Sequence, residues 1–195
     1  NLEEFWTRGD IHSRVRKAMI EADLIDKKLD IEDLFPIDQY HARGIAATVD
    51  LGKRMPILKN QKILDIGCGL GGPARYYAKQ FECFITGIDI TSSFIELGNE
   101  FNKLTSMSDK IDLTIGNGEI LKFEDNTFDG AYSQHVTMNI SNRKSFFSEA
   151  YRVLKKGSFF AFTEHGLGPV GEPIYPLPWA DTKRMSYLLT PNETI

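Results

Sequence analysis

The sequence has little of the features that mark several protein classes. Only two of its 195 residues are cysteines, Cys68 and Cys83, too few for a disulfide framework or a cysteine-rich zinc site. No apolar run approaches the roughly 18 residues of a membrane-spanning helix, and no signal peptide pattern is visible. The 23 Lys and Arg residues form no cluster and are outnumbered by 27 Asp and Glu. We therefore expect a cytoplasmic protein with no nucleic-acid or membrane partner and no metal site.

The middle of the chain alternates short apolar runs with amphipathic segments. Such an alternation predicts an α/β fold, a doubly wound and mostly parallel sheet with helices on both faces. The predicted strands are KILDIGC (62–68), CFITGIDI (83–90), IDLTIGN (111–117), FDGAYSQH (128–135) and SFFAFTEH (158–165). The last helix before the fifth strand, SNRKSFFSEAYRVL, is expected to end in LKKG with Gly157 as its C-cap.

The two flanks differ from this core. Apolar positions at a 3.6-residue period predict a helix within residues 1–30, followed by an irregular stretch broken by Pro36 and a helix that ends before Pro56. The tail carries five of the eight prolines and predicts a loop with a short helix near 182–189. We expect an N-terminal helical cap and lid segment (1–58), a ligand-binding core (59–165) and a Pro-rich loop on the substrate side (166–195), with the C-terminal strands of the sheet missing from the chain.

A glycine-rich turn, GCGLGG (67–72), follows the first predicted strand and fits the pattern G-x-G-x-x-G. Glycines let a ligand approach the backbone, and the helix that follows offers unpaired N–H groups. NAD, FAD and S-adenosylmethionine all fit such a turn. Asp65, two positions before Gly67, would repel a pyrophosphate but attract the ammonium group of S-adenosylmethionine. The carboxylate favours the sulfonium cofactor.

A second carboxylate, Asp89, ends the second predicted strand 22 residues after Gly67. An acid in this place binds the two ribose hydroxyls of a nucleotide cofactor, and it disfavours NADP because it would repel the 2′-phosphate. The alternative is that Asp89 is the N-cap of the helix that begins near Ser92. Ribose binding is the preferred interpretation.

Taken together, ILDIGCGLGG, GIDI, GNGEILKFEDNTFD and RVLKKGSFFAF resemble the motif series of class I S-adenosylmethionine-dependent methyltransferases over residues 60–165. The flanking segments LFPIDQYHARG, SQHVTMNI and EPIYPLPWADT resemble the sarcosine/dimethylglycine N-methyltransferase-like branch. DQYHARG is also similar to the N-terminal tyrosine segment of phosphoethanolamine methyltransferases. The resemblance implies a Rossmann-like methyltransferase fold with S-adenosyl-L-methionine as its cofactor.

The resemblance also implies a set of cofactor contacts. Gly67 and Gly69 would border the methionine part, with Asp65 near its ammonium group. Asp89 would take the ribose and Ile90 would lie against the adenine.

Further contacts are implied by the third and fourth motifs. Asn117 stands where the family commonly has an aspartate that accepts from the adenine amino group, and Gly118 and Glu119 would lie nearby; an Asn-Gly turn without ligand contact is the alternative. Gln134 would contact the methionyl part.

Tyr40 and His135 are the candidates for the catalytic step. Gln39 and Tyr40 belong to the segment that closes over the cofactor in the resembling enzymes. The Tyr40 hydroxyl would accept a hydrogen bond from the nucleophile; packing within the cap is the alternative. His135 would orient the substrate or accept a proton, unless it is a neutral histidine bonded to backbone. Phosphoethanolamine methyltransferases carry a functional histidine where this chain has Asn139, which weakens the case for a phosphobase substrate.

The preferred function is therefore methyl transfer from S-adenosylmethionine to a small-molecule acceptor, an amine such as sarcosine or dimethylglycine. The carboxylate of such an acceptor would also need a cation, for which Arg43 is the candidate, unless the missing C-terminal part supplies it. Carbon methylation of a quinone or sterol, a cofactor-binding protein without turnover, and an NAD-dependent oxidoreductase are the alternatives. The sequence indicates no oligomeric state.

Overall fold

The computed structural model describes residues 2–6, 8, 10–25 and 27–194. Its centre is a five-stranded sheet in the order β3-β2-β1-β4-β5, in which every neighbouring pair is parallel. This confirms the predicted doubly wound sheet. The strands are β1 (Lys62–Ile66), β2 (Phe84–Asp89), β3 (Ile111–Ile115), β4 (Phe128–Gln134) and β5 (Leu154–Thr163).

Helices cover both faces of the sheet because successive strand residues point to opposite sides. The helices are α1 (Leu2–Trp6), α2 (Ile11–Glu21), α3 (Ile31–Asp38), α4 (Ile45–Gly52), α5 (Gly72–Phe81), α6 (Ser92–Leu104), α7 (Arg143–Val153) and α8 (Pro191–Thr194), with one-turn 3-10 helices at Thr137–Asn139 and Lys183–Met185. Ile63 packs with α4 and α5 on one face, whereas Leu64 packs with α7 on the other. A third cluster joins α2, α3 and α6 and attaches the N-terminal helices to the core.

The N-terminal flank departs from the prediction in two places. The helix expected within residues 1–30 is divided into α1 and α2, because Asp10 has a left-handed backbone and its carboxylate caps α2 by accepting from Ser13 N–H. The stretch expected to be irregular contains α3, whose start is closed by the Asp33 carboxylate accepting from Asp30 N–H at 2.9 Å. Pro36 lies inside this short helix, where its nitrogen cannot donate to the carbonyl of Glu32, and the helix ends two residues later at Asp38.

The boundary between α7 and β5 was also predicted wrongly. The helix ends at Val153, and residues 154–157 already belong to β5. Gly157 has a φ of +82° inside this strand, where the register with β4 shifts, so it is a strand irregularity and not a helix C-cap. In the tail, the helix predicted near 182–189 is reduced to the turn Lys183–Met185. Among the described helices, none combines the length and the apolar character needed to cross a membrane.

Candidate functional site

A cavity of about 540 Å³ opens where the strand order reverses, between the carboxyl ends of β1 and β4. Open parallel sheets bind their ligands at this point, and the volume is within the range of small-molecule sites. Most of the residues predicted for the site line it. These are Tyr40, Gly67, Gly69, Asp89, Ile90, Asn117, Gly118, Glu119, Gln134 and His135.

The glycine turn leads from β1 into α5 with its backbone close to neighbouring segments. Gly67 has a φ of +82°, and a Cβ there would lie 2.3 Å from Val136 Cγ2. The N–H groups of Gly67 and Cys68 both donate to Ile88 O, at 2.8 and 2.9 Å. Only glycine fits at Gly67, which leaves the floor of the cavity formed by backbone.

Asp89 faces the cavity with its carboxylate already oriented. Gly69 N–H donates to Oδ2 at 3.0 Å and Thr91 N–H donates to Oδ1 at 2.9 Å. Burial raises the pKa of Asp89, and these backbone hydrogen bonds partly offset that rise. The N-cap of α6 is Thr91 and not Asp89. Each oxygen keeps a second lone pair, so the carboxylate can still accept two ribose hydroxyls.

Asp65 lies beside the large cavity and not in its wall. Its carboxylate is buried and accepts from the Tyr132 hydroxyl at 2.7 Å. It lines a second cavity of about 40 Å³ that shares Gly67, Gly69 and Gln134 with the large one. Burial raises the pKa of Asp65 to about 7; the Tyr132 hydrogen bond opposes this, and the nearby Asp89 charge adds to it. A cationic group in the small cavity would relieve this cost.

The adenine end of the predicted site consists of Ile90 and the turn after β3. Asn117 Oδ1 accepts from Glu119 N–H at 2.8 Å, so the oxygen expected to meet the adenine amino group already holds the turn. Within the described residues the Asn117 amide nitrogen has no hydrogen-bond partner and is the donor that remains. A Cβ on Gly118 would lie 2.8 Å from Ile66 Cγ2, so the glycine is required by packing. Glu119 Oε1 accepts from Asn142 N–H at 3.1 Å.

The two glutamines predicted for the site differ in what they offer a ligand. Gln134 lines both cavities; its Oε1 accepts from the Tyr77 hydroxyl at 3.3 Å, and its buried Nε2 has no partner in the described part of the chain. That donor fits the carboxylate of a methionyl group. Gln39 lines neither cavity, since its Oε1 accepts from Thr48 at 2.7 Å and its Nε2 donates to Asp38 at 3.2 Å. The direct cofactor contact predicted for Gln39 is not offered by this geometry.

Of the two catalytic candidates, Tyr40 is the more accessible. It is 46% exposed, lines both cavities, and has its ring edge-on to Phe94 at 5.7 Å. Tyr40 therefore packs on the cap and also lines the ligand space, and its catalytic role stays a prediction.

His135 stands in a column of rings that the sequence did not suggest. His165 stacks on it at 4.5 Å, His41 contacts it edge-on at 5.6 Å, and Trp179 stacks on His165 at 4.5 Å. Burial, together with the two neighbouring histidines, lowers the pKa of His135 to about 4. The imidazole is neutral at pH 7 and is a weak proton acceptor.

The tail was expected on the substrate side, but the residues that it and other distant segments contribute to the cavity wall were not identified from the sequence. Asn139 donates to the carbonyls of Trp179 and Met185, at 3.0 and 3.2 Å, and Tyr187 N–H donates to Met138 O at 2.7 Å. These bonds hold the tail against the loop after β4. Further residues of this wall are Trp6, Phe94, Arg184, Met185 and Tyr187.

The polar groups and the backbone floor of the cavity fit S-adenosylmethionine: the carboxylates suit its positive charge, and the floor leaves room for it. Two carboxylates and an unpartnered amide donor surround a backbone floor that a Cβ would fill. In the chain as described, no group of three or more His, Cys, Asp and Glu side chains could hold a metal ion. The predicted cation Arg43 pairs instead with Asp50 at 2.6 Å and does not line the cavity.

Comparison with known proteins gives the family. The sequence profile of the methyltransferase domain matches residues 64–162, about half of the chain. A 24-methylenesterol C-methyltransferase 3 from Arabidopsis thaliana is 39% identical over 116 residues, 60% of this chain and 32% of that protein. The chain spans about a third of the length of the curated relatives it matches.

Solved structures agree with the profile. A Galdieria sulphuraria protein described as a candidate sarcosine dimethylglycine methyltransferase is 29% identical, with a TM-score of 0.50 over 57% of this chain and 39% of that one. The fold of a Haemonchus contortus phosphoethanolamine N-methyltransferase 2 covers 99% of this chain and 42% of its own, with a TM-score of 0.75 at 22% identity. The chain therefore belongs to the methyltransferase-domain family and has the class I S-adenosylmethionine-dependent methyltransferase fold.

Proposed function

We propose that the chain transfers the methyl group of S-adenosylmethionine to a small-molecule acceptor, and that this acceptor is an amine of the sarcosine or dimethylglycine type. The observation that carries the transferase proposal is Asp89, whose carboxylate is held by two backbone N–H groups at the edge of a cavity of about 540 Å³ that it lines. The amine is supported by the flanking segments and by the similarity to the Galdieria sulphuraria protein.

The chain's own residues would bind and align the reactants. Asp89 would hold the ribose, Asp65 the ammonium group, and Gln134 Nε2 the carboxylate of the cofactor. When bound, S-adenosylmethionine supplies a methyl group on a positively charged sulfur. Transfer of this methyl group to the acceptor, with S-adenosylhomocysteine as the leaving group, needs in-line alignment and exclusion of water more than an activated nucleophile. The rings of Tyr40 and Phe94, which line the cavity, would limit the access of water to the bound reactants.

His135 would assist only modestly if the acceptor is an amine. A neutral imidazole whose conjugate acid has a pKa of about 4 does not take a proton from an alkylammonium ion at pH 7. The amine must therefore arrive neutral, or lose its proton to water before the cavity closes. In this scheme His135 orients the acceptor and does not act as its base.

A carbon acceptor of the sterol type is the second candidate, supported by the 39% identity to the Arabidopsis thaliana enzyme. Methylation of an alkene builds up positive charge on carbon, and the rings of Trp6, Tyr40 and Phe94 line the cavity where such charge would develop. A sterol would present no anionic group, which separates it from an amino-acid acceptor.

The test combines binding with product detection. Isothermal titration should show S-adenosylmethionine binding that Asp89→Ala sharply weakens, and mass spectrometry of a metabolite pool incubated with labelled cofactor should show one labelled product. No heat from the folded protein would contradict the proposal. Cofactor binding without a labelled product across amine, phosphobase, sterol and quinone acceptors would instead indicate a binding protein without turnover.

A further inference from the structure

We propose that Arg184 recognises an anionic oxygen group, a carboxylate or a phosphate monoester, on the methyl acceptor. The inference rests on the proposed function and names the class of acceptor. It identifies Arg184, and not Arg43, as the cation that an amino-acid or phosphobase acceptor requires.

Arg184 is held at the cavity by a well-anchored segment. It is the middle residue of the 3-10 turn Lys183–Met185 and lines the large cavity. The carbonyl of Met185, the next residue, accepts from Asn139 Nδ2 at 3.2 Å, and Tyr187 N–H donates to Met138 O at 2.7 Å. The guanidinium is therefore presented from a fixed backbone beside the loop that follows β4.

The charge of Arg184 is available to a ligand, unlike the cations around it. Within the described residues its side chain makes no hydrogen bond or ion pair, whereas Lys183 pairs with Glu172 at 2.8 Å and Arg8 pairs with Asp181. Arg143, which approaches the same segment, donates to Tyr187 O at 2.8 Å. No other Arg or Lys of the described chain lines the cavity.

The cofactor leaves this cation unused. The predicted cofactor contacts lie at the glycine turn and after β2 and β3, and the acidic side chains that line the cavity belong to that part of the site. An amine that carries a carboxylate or phosphate would place its negative group on Arg184, where a planar guanidinium can bind two oxygens at once. Its nitrogen would then point inward, toward Tyr40 and the cofactor.

Matched pairs of ligands separate the anionic group from the amine. Sarcosine and dimethylamine differ by a carboxylate, and phosphoethanolamine and ethanolamine differ by a phosphate. Each is titrated by calorimetry into the protein saturated with S-adenosylhomocysteine. We expect at least one anionic member to bind about tenfold or more tightly than its partner, and the pair that shows the difference tells carboxylate from phosphate.

Variants assign the effect to Arg184. Arg184→Met should remove the difference within a pair, and Arg184→Lys should retain part of it. Lys183→Gln, in the same turn but directed at Glu172, is the matched control and should behave like the wild type. Asn139→Ala should reduce the difference, because it releases the carbonyls of Trp179 and Met185.

The outcomes that overturn this inference are distinct from failure of the proposed function. Equal or undetectable binding of both members of both pairs would overturn it, as would Arg184→Met weakening S-adenosylhomocysteine itself. Failure of the proposed function would appear earlier, as no S-adenosylhomocysteine binding by the wild type. Product formation on a neutral sterol, with no preference for anionic amines, would leave methyl transfer standing and the role of Arg184 refuted.

Discussion

Replacing Asp89 by asparagine keeps the size of the side chain but turns one carboxylate oxygen into an amide NH₂. In the structure both oxygens accept a backbone N–H, one from Gly69 and the other from Thr91. Whichever way the amide turns, its NH₂ group must face a donor. The substitution therefore misplaces either the glycine turn or the start of α6, in addition to removing the charge.

The size of the effect follows from the hydrogen bonds involved. A hydrogen bond to a charged group contributes about 1.5–3 kcal/mol and a neutral one about 0.5–1.5 kcal/mol. Two ribose hydroxyls would then lose about 2 kcal/mol together, whereas the unpaired backbone N–H is present with and without ligand and lowers the free energy of unfolding by about 1–3 kcal/mol. We expect affinity for S-adenosylhomocysteine to fall about thirtyfold in Asp89→Asn.

Calorimetric titration measures this loss, with thermal unfolding as a check that the variant is folded. Asp112→Asn is the matched control, because Asp112 is an exposed carboxylate on β3 that does not line either cavity. Affinity of Asp89→Asn within about threefold of both the control and the wild type would refute the reasoning, since the carboxylate would then serve only the fold.

Three further changes test neighbouring parts of the structure. Burial raises the pKa of Asp65 to about 7, and a nearby ammonium group favours its charged form, so S-adenosylhomocysteine binding should release a proton and strengthen as the pH rises from about 6 to about 7.5. Calorimetry in buffers of different ionisation heat counts the released proton. An unchanged proton count in Asp65→Asn would contradict this. Arg75→Met leaves the buried Asp38 carboxylate without its partner and should lower the free energy of unfolding in urea by about 3–5 kcal/mol, whereas a loss below about 1 kcal/mol would argue against that pairing. Gly67→Ala should destabilise the protein more than Gly69→Ala, because a Cβ at Gly67 meets a side chain at 2.3 Å and one at Gly69 meets nothing within 4 Å; equal unfolding temperatures would exclude this steric argument.

The sheet and most of the cofactor side were predictable because their signals are local. Each strand is a short apolar run, and Asp89 and Gln134 stand at strand ends, where parallel sheets gather their ligand contacts. Gly67 could be identified from its place in a single turn. In all three cases the residue type and its position along one element were sufficient.

The acceptor side was not predictable, because it depends on contacts between segments far apart in sequence. Asn139 was noted as a departure from a family pattern, but its bonds to Trp179 and Met185 join residues 40 or more positions apart. Arg43 was the candidate for the acceptor cation, and it pairs with Asp50 instead. Only folding the tail onto the loop after β4 brings Arg184 to the cavity.

The two buried carboxylates also bear on the dinucleotide alternative raised by the glycine pattern. Asp65 and Asp89 already disfavour each other's charge, which contributes to the raised pKa of Asp65. A pyrophosphate at the same turn would add repulsion on the order of 3 kcal/mol for each pair of unit charges about 5 Å apart at an effective dielectric constant of about 20. A pyrophosphate would favour the protonated form of Asp65, whereas an ammonium group favours its charged form, and Asp89 can hold the ribose of either cofactor. The charges at the turn therefore select a cationic cofactor, although the glycine pattern alone accepts either.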